Sequence, residues 1–209
     1  EMRFWEIPEE ATRLANFQTR RIDTFTAVPD SITILADTPG TLFMSQKGAV
    51  EQHLLFYGQY YTSGDPSMCP GLSTSNFPPP YPTTTKCPTD AYDPDLPWVA
   101  ANIDMSSQEW DDARKVRLAM HLAIDRDKLI EELLHGEAVH LPMQGWSNQD
   151  FPSEWVRPYD PEQSKELLAE AGYPDGFDMV LIPMLRGAPS EAEACQAIAA
   201  MWETVGINV

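Results

Sequence analysis

The side chains able to make or break bonds are present in this chain, but their spacing does not assemble them for it. His53, His121, His135 and His140 show no zinc-binding spacing with cysteine or acidic partners. No G-x-S-x-G nucleophile motif occurs, and no Gly-rich phosphate loop. Asp111-Asp112 and Glu131-Glu132 read as solvated helix ends rather than a catalytic carboxylate pair. Cys195 falls inside a predicted helix and reads as a small core residue rather than a nucleophile. No metal, no cofactor and no enzymatic reaction are expected.

What the chain does offer is aromatic side chains beside hydrogen-bonding groups in two segments, and an arginine in a third. Tyr57, Gln59 and Tyr61 share one face of an extended segment, because side chains alternate along a strand. That face either walls a cleft with large, rigid area or buries into a sheet. In Pro142–Asn148, Trp146 stands beside Gly145 and close to Gln144. Trp146 either covers a ligand or anchors the loop onto its own domain. Arg186 follows a predicted strand and precedes the helix that opens at Ser190. It can hold a carboxylate through two parallel hydrogen bonds, or be an ordinary exposed loop arginine. Glu191 and Glu193 already neutralise that helix end and weaken the case for an anion there.

Composition bounds the partners. The formal charge of −18 argues against nucleic acid, which needs clustered Lys and Arg. With 43% hydrophobic residues the chain can bury a core. No apolar run approaches the roughly 18 residues of a membrane-spanning helix. Cys69 and Cys87 flank a stretch rich in Pro, Ser and Thr that lacks apolar periodicity. A disulfide between them would remove about 3 kcal/mol of unfolded-state entropy and would require an oxidising compartment.

The elements that must position these residues have their own signals. Residues 1–7 and 22–25 alternate as short strands, with a helix between them opened by Pro8. Residues 50–61 form an aromatic strand, and residues 62–97 an irregular, Pro-rich insertion. Asp111-Asp112 open a helix whose Val116, Ala119, Met120, Ala123 and Ile124 share one face. Asp125 caps a second helix over 126–134, which Gly136 ends. Asp160-Pro161-Glu162-Gln163 supplies a cap, a proline at the first helical position and a box-closing Gln, and Gly172 and Pro174 stop that helix. A strand over 177–182 follows, then a capping box of Ser190 and Glu193, a helix ended by Gly206 and a strand from Ile207.

The wording of these segments resembles one family. Val116-Arg117-Leu118-Ala119-Met120-His121-Leu122-Ala123-Ile124-Asp125-Arg126, Tyr159-Asp160-Pro161-Glu162 and Leu167-Leu168-Ala169-Glu170-Ala171-Gly172-Tyr173-Pro174-Asp175-Gly176-Phe177 are similar to the extracytoplasmic solute-binding proteins of ABC importers, family 5, the peptide/nickel-binding branch. Ile7–Asp23 is similar to a family stretch that closes a helix with Gly, where this chain has Arg20, so a different turn is expected.

The resemblance implies an α/β, periplasmic-binding-protein-like type II fold. Residues 1–52 would be the end of lobe I leading to the hinge, and 53–209 most of lobe II. Tyr57–Tyr61 would then run along the hinge and Pro142–Asn148 near the cleft. A missing leader-like N-terminus and a C-terminus on the first residues of a strand fit a fragment of a longer chain. The implied protein is no enzyme. It captures a small solute, a peptide in the first instance, and delivers it to the membrane permease subunits of an ABC transporter, in the periplasm or anchored at the outer face of the cell membrane. The alternatives are a relative that binds a sugar or metal complex, and an extracytoplasmic interaction module or enzyme that shares the lobe topology.

Overall fold

The computed structural model describes residues 2–45, 51–58, 93–102, 104–141, 151–152, 155–183 and 190–209. In chain order the helices are α1 (Glu10–Gln18), a 3₁₀ turn at Pro29–Ser31, α2 (Ile32–Ala36), α3 (Gln108–Leu122), α4 (Arg126–Lys128, continued by a π-helical turn over Leu129–Leu133), α5 (Pro161–Glu170) and α6 (Glu191–Glu203). The strands are β1 (Phe177–Asp178) and β2 (Ile207–Asn208). Contacts group the chain into two compact units. One contains Glu1–Gln52, Arg126–Val156 and Ile182–Ala197, the other His53–Asp125, Arg157–Leu181 and Ile198–Val209.

In the second unit α3 is the organising element. Val116, Ala119, Met120, Ala123 and Ile124, the face read from the sequence, are all buried. Full burial of side chains such as Val116, Met120, Leu168 and Ile207 contributes about 1.5–3 kcal/mol each. The helix opens at Gln108, one turn ahead of Asp111-Asp112, because Ser107 lies in extended conformation and its Oγ accepts from Trp110 N–H at 3.2 Å. Asp111 is therefore a first-turn acid rather than a cap.

The last turn of α3 closes with Ala123 N–H on Ala119 O, and the rest of the unit supplies further donors to its C-terminal carbonyls. Trp202 Nε1 donates to Met120 O at 2.8 Å, and Asp160 N–H donates to Leu122 O at 2.9 Å. The buried Ser164 Oγ donates to Ala119 O at 2.8 Å. Asp160 caps α5 as its sequence requires, with Oδ1 accepting from Gln163 N–H. The reciprocal half of the box is not used, since the Asp160 N–H is committed to Leu122. Lys115 lies 3.1 Å from Glu170 and 3.3 Å from Asp111, tying α5 to α3 at the surface.

Strands β1 and β2 pair in parallel, Phe177 opposite Ile207 and Asp178 opposite Asn208, with α6 between them in the chain. Their approach depends on glycine. Gly176 has φ +76, and a Cβ there would lie 1.8 Å from Gly206 O.

The first unit carries a surprise at the end of α1. Arg20 has φ 57, so the left-handed cap is kept without glycine. Arg21 N–H reaches Asn16 O at 2.8 Å and Arg20 N–H reaches Phe17 O at 2.9 Å, the paired bonds of a Schellman motif. At the other end, Pro8 precedes the N-cap Glu9 rather than opening the helix. Glu10 ties α1 to the 3₁₀ turn by accepting from Ser31 Oγ at 2.7 Å and Val28 N–H at 3.1 Å.

Other expectations are corrected. Among the described residues, 2–7, 22–25 and 51–58 form no strand, and the strand expected over 177–182 is confined to Phe177–Asp178. Alternation along a segment is a local property, whereas a strand needs a ladder partner, and no described segment supplies one beyond β2. Exposure nevertheless alternates through Ile182, with Val180 and Ile182 outward. The helix expected over 126–134 loosens into a π turn, then passes through left-handed His135 and Gly136. Ser190 has φ 60 rather than the extended backbone of an N-cap, so the Ser190–Glu193 box does not form in its usual geometry.

Candidate functional site

Of the six candidate ligand-contacting residues, Tyr57 is described. Gln59, Tyr61, Gln144, Trp146 and Arg186 lie outside the described residues, as do Cys69 and Cys87. Along 54–57 exposure alternates, with Leu54 and Phe56 half-buried and Leu55 and Tyr57 outward at 70% and 50% exposure. Phe56 turns inward to an aromatic cluster, its ring centroid 5.9 Å from that of Trp98. Trp98 in turn lies 6.2 Å from Phe177, and Phe177 lies 5.4 Å from Tyr173. Burial, with Asp112 nearby, raises the Tyr173 phenol above its ordinary pKa, so it stays neutral.

The backbone under Tyr57 is held from one side by residues 93–98. Trp98 Nε1 donates to Tyr57 O at 2.8 Å, and Asp93 N–H donates to Gly58 O at 3.1 Å. Gly58 is buried with φ +86, and a Cβ there would lie 2.6 Å from Leu96 Cδ1. Arg117 Nη1 donates to Trp98 O at 2.6 Å, joining this segment to α3. Trp98 is the residue that the sequence reading missed. Its signal was a Trp in the run Leu96–Ala100, directly after the Pro-rich stretch.

His135 and His140 each lie beside a carboxylate. His135 Nε2 lies 3.1 Å from Asp30 Oδ1, and His140 Nε2 lies 2.7 Å from Asp127 Oδ1. Ser45 Oγ bonds the Glu137 carboxylate. Among the described residues no group of three His, Cys, Asp or Glu side chains is placed to hold a metal ion. Burial, then Glu191, pushes the Cys195 thiol up, away from the nucleophilic thiolate. Cys195 is partly exposed rather than fully buried. An exposed aromatic on a braced segment offers a solute rigid contact area.

Comparison with known proteins decides the class. Residues 1–209, the whole chain, match the family described as bacterial extracellular solute-binding proteins, family 5 Middle. The chain belongs to that family. Its members are bacterial extracellular solute-binding proteins, and the described part of this chain combines helices with one parallel strand pair.

Among curated relatives, the chain is 38% identical over 101 residues to heme-binding protein A of Haemophilus influenzae, and 33% identical over 101 residues to the dipeptide-binding protein of Escherichia coli. Each match covers 45% of this chain and 18% of the relative. A glutathione-binding protein of Pectobacterium atrosepticum is 42% identical over 73 residues, 34% of this chain and 14% of that protein. The matched part of this family 5 chain thus spans less than a fifth of the length of these relatives. A solved structure of HbpA2 from Haemophilus parasuis aligns over 97% of this chain and 32% of its own, with 20% identity and a TM-score of 0.48. No helix among the described residues is long and apolar enough to cross a membrane.

Proposed function

We propose that this chain is part of the solute-binding component of an ABC importer, which closes two lobes around a peptide-like solute outside the cytoplasm and delivers it to membrane permease subunits. The observation that carries the reading is the family match over residues 1–209. Two of the relatives above are named for binding a dipeptide and glutathione, both short peptides, and a third for binding heme; a peptide is the solute put forward here. Residues 1–52 belong to the end of lobe I and 53–209 to most of lobe II, with 62–97 as an insertion stapled by a Cys69–Cys87 disulfide. The protein acts in the periplasm or anchored at the outer face of the cell membrane.

In this reading Tyr57, Gln59, Tyr61, Gln144 and Trp146 are the candidate solute-contacting residues, and Arg186 the candidate partner of a carboxylate. The half-exposed ring of Tyr57 suits that role, since a rigid aromatic offers large contact area at low entropic cost. Calorimetric titration of the full-length protein with dipeptides and glutathione tests it. Tyr57→Ala is expected to weaken binding about tenfold, the effect of losing one aromatic anchor. Equal affinity of the variant and the parent would remove Tyr57 from the site.

A further inference from the structure

Successive carbonyls of an extended segment point to opposite sides, so one neighbouring segment ordinarily binds only every second one. Here Tyr57 O and Gly58 O are both received within residues 93–98, the first by the Trp98 indole and the second by the Asp93 amide. Left-handed Gly58 makes this arrangement possible, and the Leu96 side chain fills the space a Cβ would need. The receiving segment is itself fixed. Trp98 is buried between Phe56 and Phe177, and its carbonyl accepts from Arg117 of α3.

We propose that Trp98 is a positioning residue for the solute wall: its indole N–H pins the backbone of Tyr57, so that Phe56 stays inward and the Tyr57 ring stays presented outward. The proposal rests on the binding role of Tyr57 put forward above. Rotation of this segment about its axis would exchange the Phe56 and Tyr57 faces. The bond to Tyr57 O is a directional contact that opposes that exchange, beside the Asp93 N–H bond to Gly58 O.

The test is Trp98→Phe in the full-length protein, which keeps an aromatic ring in the cluster and deletes the donor. With 3-fluorotyrosine incorporated, the Tyr57 fluorine resonance is identified as the one absent from Tyr57→Phe. Trp98→Phe is expected to shift and broaden that resonance in the unliganded protein, and to weaken binding of the dipeptide or glutathione probe about tenfold. Trp98→His, which restores a ring N–H, is expected to recover part of both effects. An unchanged Tyr57 resonance in Trp98→Phe would overturn the positioning role whatever happens to affinity. A shifted resonance in a protein whose unmutated form binds no probe would support the strut and sink the solute-binding reading instead. A destabilised Trp98→Phe with every tyrosine resonance displaced would count against the proposal, since it assigns the donor a local effect.

Discussion

Gly176 and Gly206 pass so close that a Cβ on Gly176 would lie 1.8 Å from Gly206 O. The contact sits where β1 and β2 begin to pair, and it explains the glycine after Asp175; at Gly206 an added Cβ would come no nearer than 3.4 Å to Asp175 O, and the glycine there answers to its φ of +95. Gly176→Ala must therefore displace a backbone carbonyl as well as hold a left-handed residue. It is expected to destabilise the second unit by about 2–4 kcal/mol. Gly172→Ala is the internal control, with φ +91 but nothing within 4 Å of the added methyl, and should cost only about 1 kcal/mol. Urea denaturation of both variants checks the difference, and equal losses would show that the β1–β2 approach is not tight.

Trp202 and Met120 are joined by the indole bond at the end of α3. Trp202→Phe keeps most of the buried ring but leaves Met120 O without its donor. A loss of about 1–3 kcal/mol is expected in thermal or urea unfolding. A loss below about 0.5 kcal/mol would mean that another group takes over that carbonyl.

Glu10 makes the first unit sensitive to acid. Burial raises its pKa, but hydrogen bonds from Ser31, Arg13 and Val28 outweigh that and hold it below the ordinary carboxylate value. A lowered folded pKa contributes stability that is complete above the unfolded pKa of about 4.3 and lost as pH falls through the folded value. The stability gap between the parent and Glu10→Gln should thus be constant near neutrality and shrink below about pH 4. A gap that widened on acidification would contradict the assignment.

Arg20 occupies a left-handed cap that glycine adopts more readily. Arg20→Gly is expected to stabilise α1 by about 0.5–1 kcal/mol, read as a higher urea midpoint for the first unit. Destabilisation would show that the arginine side chain contributes more than its backbone strain costs.

These residues also mark what was legible in the sequence. The buried face of α3, the Asp160 cap and the Gly172 stop were readable because each depends on residues within a turn or two. The strands were over-read, since Ile22–Phe25 has the alternation of a strand but no described partner. The Arg20 turn went against expectation because the hydrogen-bonding pattern of the cap outweighed a strain of about 1 kcal/mol. Trp98 was invisible for a different reason. Its indole bond spans 41 residues, and no local pattern connects a tryptophan after a Pro-rich stretch to the carbonyl of Tyr57. The remaining candidate contacts, Gln59, Tyr61, Gln144, Trp146 and Arg186, stand as proposals from sequence.

The most direct test of solute capture is native mass spectrometry of the full-length protein, purified gently and compared with the same sample after denaturation. The account predicts a mass excess that disappears on denaturation and is recovered as a short peptide. A protein that carries nothing, and stays bare when offered dipeptides, glutathione and heme, would contradict it.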